Sequence, residues 1–439
     1  MERRQAAVLH SAPNIVAGLV TAIGYNPLRI EGHFSMASSG TPMDLYYRKG
    51  LPAASVVTLL FLLFASFFAF ARGSFTDLRS SILNGGTLAF FCVILFLILY
   101  TGHIHRWRRI FFAAYAVAFA ISFVWMTAGD RGHMWLLDRE ALYSQAPMCH
   151  IVVPMLILPL LFKKEIIFPT SFAGAGTMIL LVAAIGLVFG RAFCSWGCFF
   201  GGQDELFAWL ARTRRWKIRA LKPTVRYFSF GLLAFIILHS FATMSPTYCF
   251  WLCPFKTSSE FIEVNSFIRV IQTFMFVSLW VLLAVFLPLI SKKRIQCGLF
   301  CPMGAFLSCT SKINLFALKI DTGICKECNR CIEACPTFSL TRDSLTKGEP
   351  SIGCSKCGAC IESCPEGAIG YSTRGVPFVS KGQLAAQSAA RPGFWRRLGR
   401  ELWDPDIVFI FGIFAVGTVM ASNYFVDSVS RLLKFSLGI

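Results

Sequence analysis

The fold class predicted is mainly α: a polytopic transmembrane helix bundle carrying a small α+β appendage rich in cysteine. Three observations predict it. The 439-residue chain is 55% hydrophobic and only 15% charged, with 44 Phe and a mean hydropathy of +0.61, where soluble chains carry about 25% charged residues. Uncharged windows of about 20 residues recur through most of its length, enough helix to cross about 30 Å of hydrocarbon. Fourteen of the 17 Cys fall into short C-x2-C or C-x3-C groups, leaving Cys92, Cys149 and Cys309. That spacing belongs to metal ligation rather than to scattered bridges. Intrinsic disorder and a secreted disulfide scaffold are excluded.

Probable spans are 51–71, 84–102, 110–129, 171–190, 227–245, 270–290 and 407–426. The window 141–162 is interrupted by Pro147, Pro154 and Pro159 and closed by Lys163, Lys164 and Glu165. It reads as a kinked span or as a segment that enters and leaves on one side. Basic clusters orient the bundle: Arg106, Arg108 and Arg109; Arg212, Arg214, Arg215, Lys217, Arg219 and Lys222; Lys292, Lys293 and Arg294. All three lie on the cytoplasmic side, with a cytoplasmic N-terminus, if 141–162 does not fully cross. The net charge of +19 is then an excess of basic loops, and no nucleic-acid partner is expected. No cleaved leader is expected either. The organisation reads as 1–50 cytoplasmic or interfacial segment, 51–129 three-helix membrane part, 130–170 extracytoplasmic or re-entrant segment, 171–310 membrane core, 311–372 soluble module, 373–404 Gly/Ser/Arg-rich linker and 405–439 last span.

The soluble module carries the strongest signal. Cys325-x2-Cys328-x2-Cys331-x3-Cys335-Pro336 is repeated as Cys354-x2-Cys357-x2-Cys360-x3-Cys364-Pro365, the run of two-cluster bacterial ferredoxins. Three thiolates of one run hold three corners of a cubane, and the fourth comes from the other run because the chain reverses after each loop. Cys325, Cys328, Cys331 and Cys364 are assigned to one [4Fe–4S] cluster and Cys354, Cys357, Cys360 and Cys335 to the other. Zinc knots prefer paired C-x2-C groups with a longer spacer. The appendage is therefore expected to be a small cytoplasmic α+β two-cluster bacterial-ferredoxin domain.

An internal repeat, R-x2-C-x3-C-x2-G, occurs as Arg191…Cys194…Cys198…Gly201 and Arg294…Cys297…Cys301…Gly304, 103 residues apart. Cysteines four apart share a helical face, and under the topology above both pairs meet at one leaflet. Four thiolates there suit a third cluster at the cytoplasmic membrane edge; redox-inert buried thiols or a transient metal site are the alternatives. Cys249-x3-Cys253-Pro254 lacks the Arg and the Gly and falls on the opposite side with Cys149. These three with a further ligand suit an extracytoplasmic cluster, against a disulfide or plain thiols.

His239 lies inside an uncharged span, where a polar side chain usually faces the bundle interior. A quinone carbonyl is its candidate cofactor partner, and a hydrogen bond to a neighbouring helix the plainer one. No second span sets a His opposite it unless His150 does, which disfavours b-type haem. His103 and His105 read as solvated. Ser38-Ser39-Gly40-Thr41 loosely resembles the S-G-A-T site of covalently attached FMN in sodium-pumping and Rnf-type redox subunits. It lacks the Ala, and a plain turn is favoured. No Gly-rich nucleotide loop, catalytic triad or paired-carboxylate arrangement stands out.

On Arg191-Ala-Phe-Cys194-Ser-Trp-Gly-Cys198, Cys297-Gly-Leu-Phe-Cys301-Pro302-Met-Gly304 and the two ferredoxin runs, residues 170–370 resemble the NapH/NosR/MauN family of polytopic membrane ferredoxins. Phe199 stands where that family has Pro after the second cysteine, and the extracytoplasmic flavin domain of NosR is missing. The resemblance implies electron transfer between the quinone pool and a respiratory partner in a bacterial cytoplasmic membrane. The partners expected are the membrane, quinone and other redox subunits or acidic carrier proteins, docked by the Lys and Arg of 212–226 and 391–400. Two rival readings are a metal-handling factor resembling the copper-oxidase maturation ferredoxins, and an anchor subunit of a larger ion-translocating complex.

Overall fold

The computed structural model describes residues 47–71, 77–129, 175–210, 213–216, 218, 221–243, 248–254, 266–387 and 393–437. The segment 141–162, Cys149 and the Ser38–Thr41 turn lie outside them. The architecture is helical, with α1 (Leu51–Ala71), α2 (Leu78–Thr101), α3 (Ile104–Gly129), α4 (Ala175–Val188), α5 (Phe199–Leu210), α6 (Phe228–Thr243), α7 (Phe267–Ser291), α8 (Pro302–Cys309), α9 (Arg330–Ala334), α10 (Ala359–Glu362), α11 (Phe394–Leu402) and α12 (Pro405–Leu437). Among the described residues four of these, α1, α2, α7 and α12, are long and apolar enough to cross a membrane singly. α4 and the turn after it form a pair bent by 107°. α6 has 16 residues, about 24 Å of helix, and stops short of a full crossing.

Helices that are apolar all round show their inner face by burial rather than by polarity. In α1, Ala54, Val57, Phe61 and Ala65 are buried while Leu59, Leu60, Leu63 and Phe67 are exposed. This is the stripe and counter-stripe of a lipid-facing helix. α12 packs through the middle of the N-terminal helices: Phe414 meets Phe61 at 5.4 Å and Phe111 at 5.0 Å, and Phe425 meets Phe91 edge-on at 5.3 Å. With lipid tails as apolar as the side chains, such interlocking supplies the association that water would supply elsewhere.

The two strands, β1 (Phe316–Ile320) and β2 (Ile369–Thr373), pair antiparallel with Phe316 opposite Thr373 and Ile320 opposite Ile369. Phe316, Leu318 and Ile320 alternate inward. They close the cysteine-rich module and seat it on the bundle. Phe409 of α12 stacks against Tyr371 at 4.1 Å and Phe316 at 5.5 Å, and Phe189 lies over Phe316 at 5.6 Å. The Tyr371 amide donates to Asp406 Oδ1 at 2.9 Å. Module and bundle thus share one apolar core.

Candidate iron–sulfur site

Each ferredoxin run bends its backbone the same way. Glu327 and Lys356, one residue before the second cysteine of each run, hold φ of 48° and 50°, and Asn329 and Gly358, one residue after it, hold 60° and 81°. Non-glycine residues adopt this region at a cost of about 1–3 kcal/mol. It turns successive N–H groups to one side, a concavity suited to anionic sulfur clusters. The fourth cysteines match too: Ser339 N donates to Cys335 Sγ at 3.3 Å and Ala368 N to Cys364 Sγ at 3.4 Å. Such bonds raise the reduction potential of a bound cluster.

Cysteines of the two runs come close to one another. Cys325, Cys328, Cys331 and Cys364 line one cavity, and Cys331 lies in electrostatic range of the other three. Cys354 and Cys360 lie in range of Cys335 and Cys357. Burial pushes the Cys331 and Cys354 thiols up to about 12, with neighbouring sulfurs adding to it. Unliganded, these would be neutral thiols; a metal is what draws the proton off.

The membrane-edge cysteines form a third group. Cys198 is in range of Cys194 and Cys301, and Cys297 of Cys301 and Cys198. All four are buried, and there is no disulfide among the described residues. The repeat around them is a reciprocal clasp. Arg294 Nη2 donates to the Cys194 carbonyl at 2.6 Å and Nη1 to Ser195 Oγ at 2.5 Å, while Arg191 Nη2 donates to the carbonyls of Cys297 and Gly298. Each arginine serves the other copy's cysteine loop. The glycines are the slots through which they pass: a Cβ on Gly201 would meet Cys194 O at 2.2 Å and Arg294 Nη2 at 2.6 Å, and one on Gly304 would meet Arg191 Nη2 at 3.2 Å and Cys297 O at 3.3 Å. Asp204 Oδ2 accepts from Cys297 N at 2.9 Å.

A buried bridge joins the second and third groups. Arg108, wholly buried, donates from Nε to the Cys357 carbonyl at 3.0 Å and from Nη1 to the Ser195 carbonyl at 2.7 Å. Glu205 pairs with Arg108 and Arg109 at 3.1 Å and with Arg294 at 3.7 Å. Burial opposes its charge, but these cations hold its carboxyl well below the usual range. Trp196 Nε1 and the Tyr371 hydroxyl both donate to the Lys356 carbonyl, at 3.2 and 2.9 Å. From sequence Arg108 reads only as part of a basic cluster that orients the bundle, and Trp196 carries no signal of its own, because each acts across a tertiary contact.

Do these residues suit iron–sulfur cubanes? Four thiols of the first group surround one cavity. Grouped sulfurs around a volume suit a four-iron cube, in which each thiolate meets a different iron.

Several expectations change. Cys249 and Cys253, expected across the membrane from the repeat, sit at its side of the bundle. Gln296 donates to the Tyr248 hydroxyl at 3.1 Å, and Tyr248 is in electrostatic range of Cys253, Cys301 and Cys249. The hydrogen bond between Gln296 and Tyr248 holds the segment there. His239 is half-buried; its Nδ1 lies 3.3 Å from Thr243 Oγ1 one turn on, and its ring stands 6.0 Å from Phe235. His105, read as solvated, is buried, with Nδ1 3.0 Å from Arg108 Nη2. Between β2 and α12, where a linker is expected, stands α11, with Trp395 exposed on it.

A model of the 4Fe-4S binding domain matches residues 170–219, 225–270 and 273–322. These segments hold all three C-x3-C pairs, so Cys249/Cys253, set apart from the repeat by its missing Arg and Gly, falls within the same match. The chain is 29% identical over 176 residues to the putative electron transport protein YccM of Escherichia coli, covering 37% of this chain and 46% of that one. It is 27% identical over 186 residues to the methylamine utilization ferredoxin-type protein MauN of Methylobacillus flagellatus, covering 42% and 60%. An uncharacterized protein of Methanocaldococcus jannaschii is 29% identical over 171 residues, 36% and 58%. The chain thus spans 46% to 60% of the length of these relatives. No solved structure matches. Iron–sulfur segments, paired ferredoxin runs and membrane-length helices together make this chain similar to ferredoxin-type electron transport proteins such as YccM and MauN.

Proposed function

We propose that the chain is a membrane electron-transfer protein that passes electrons between the quinone pool, or a partner redox subunit, and a carrier protein met by the ferredoxin module on the cytoplasmic side. Bound [4Fe–4S] clusters supply one-electron chemistry. The ligands are Cys325, Cys328, Cys331 and Cys364 for the first, Cys354, Cys357, Cys360 and Cys335 for the second, and Cys194, Cys198, Cys297 and Cys301 for the third. The single observation that carries this reading is the Arg108 bridge from the Cys357 carbonyl to the Ser195 carbonyl, which binds the second and third groups into one rigid unit. Around it Arg294, Glu205 and Trp196 exclude water, and hydrogen bonds there act at low dielectric strength. Cys328 is exposed and Cys360 buried, so the first group is the port to a soluble carrier.

Iron and acid-labile sulfide counts on the anaerobically purified chain test this. About twelve irons per chain are expected, four for each cubane, falling to about eight in Cys194→Ser and Cys297→Ser, with a third paramagnetic resonance signal that quinone reoxidises. About eight irons in the unaltered chain, or copper bound at the C-x3-C pairs, would sink it.

A further inference from the structure

A cleft opens where the bundle meets the ferredoxin sheet, and its walls are cationic. Arg191, Lys312, Lys319, Lys356 and Arg374 line it, with Glu349 as the acidic side chain opposing them. Glu349 is taken by Lys319 at 2.8 Å. The other four cations have no carboxylate partner among the described residues: Lys356 Nζ donates to Phe189 O and Asn314 Oδ1, Arg374 Nη2 to the Lys312 carbonyl, and Arg191 to carbonyls and to Ser308. Arg191 is only 3% exposed, and its buried Nε has no acceptor. Cations gathered this way leave a place for an anion. Arg191 and Lys356 stand beside the thiol groups and can offset their charge; Lys312 and Arg374 are exposed and face outward.

The height of the cleft identifies the anion. Leu315 N donates to Leu187 O at 3.1 Å, which ties the start of β1 to the end of α4, where the apolar helix stops. Leu187, Ile313 and Leu315 around it are 49%, 54% and 42% exposed. Basic side chains above exposed aliphatic ones are the arrangement of an anionic headgroup site at a bilayer edge.

We propose that this cleft binds the phosphate of an anionic phospholipid, with Lys312 and Arg374 holding it at the rim and Arg191 and Lys356 supplying the field behind it. Arg191 also holds the Cys297 loop, so an occupied cleft sits electrically next to the third thiol group. The idea stands apart from the electron-transfer reading and has its own test. The full chain in neutral detergent is titrated with short-chain phosphatidylglycerol, phosphatidylcholine or inorganic phosphate, and bound lipid is counted by native mass spectrometry. Phosphatidylglycerol is expected to bind at least about tenfold more tightly than phosphatidylcholine. The Lys312→Gln/Arg374→Gln variant, with iron content unchanged, is expected to lose most of that preference. Equal binding of the two lipids by the unaltered chain overturns the site. Displacement of the lipid by inorganic phosphate at equal concentration overturns its assignment to a headgroup.

Discussion

Gly201 and Gly304 mark the two places where one copy's arginine crosses the other copy's backbone, and they are not equally tight. At Gly201 a methyl would overlap a carbonyl oxygen at 2.2 Å, whereas at Gly304 its nearest neighbour is a guanidinium nitrogen at 3.2 Å. Backbone cannot yield as a side-chain end can. Gly201→Ala is therefore expected to cost the chain about four irons of about twelve, and Gly304→Ala none, by iron analysis of both purified variants. Arg294 sets the charge beside the same loops. Replacing it by Gln removes a cation that favours the more negative reduced state. The midpoint of the third cluster is expected to fall by about 59 mV, a tenfold change in a one-electron equilibrium, and by less in Arg294→Lys. Redox titration followed by paramagnetic resonance reads both, and an unchanged midpoint in Arg294→Gln would reject the electrostatic role.

Among the elements, α12 does two jobs, packing its middle into the N-terminal helices and offering its first turn to the ferredoxin sheet. Phe409 is the contact between them: fully buried, with Tyr371 and Phe316 on it. Phe409→Ala leaves a cavity under the sheet, and losses of about 3–5 kcal/mol follow such truncations. The expected result is a lower thermal midpoint for the ferredoxin signals and faster proteolytic release of the module, with the bundle itself intact. Periodicity made α12 legible as an apolar span but not as a seat, because pairing Phe409 with Tyr371 requires two segments that only the fold brings together. The same holds for α6. Its uncharged window reads as a crossing, and the tie from Gln296 to Tyr248 shows why the cysteines after it stay near the repeat.

For the whole molecule, docking of module to bundle also rests on a carboxylate cluster. Asp404 pairs with Lys49 at 2.5 Å and with Lys381, which also pairs with Asp406 at 3.1 Å. Burial would raise the Asp404 carboxyl, but the two lysines draw it down to about 2. A carboxyl depressed in the folded state gives stability that is complete above the unfolded value of about 3.9 and is lost as pH falls through about 2. Melting temperature is expected to hold down to about pH 4 and then drop. Asp404→Asn should be less stable at neutral pH, by about 3 kcal/mol if both lysines are left buried without their partner. It should also show a flatter acid limb; an acid limb as steep as the unaltered chain's would show that other groups set it.

The apolar spans of α1, α2, α7 and α12 and the two ferredoxin runs were legible in the chain itself, because hydrocarbon thickness and the chemistry of a cubane impose spacings that survive in one dimension. The R-x2-C-x3-C-x2-G repeat was legible too, though not its meaning. Which arginine serves which cysteine loop, why Gly201 must stay bare, where Cys249 and Cys253 come to rest, and the Arg108 bridge between two sulfur groups were decided by tertiary structure. Each depends on residues tens to hundreds of positions apart meeting within a hydrogen bond's length, and no local pattern records such a meeting.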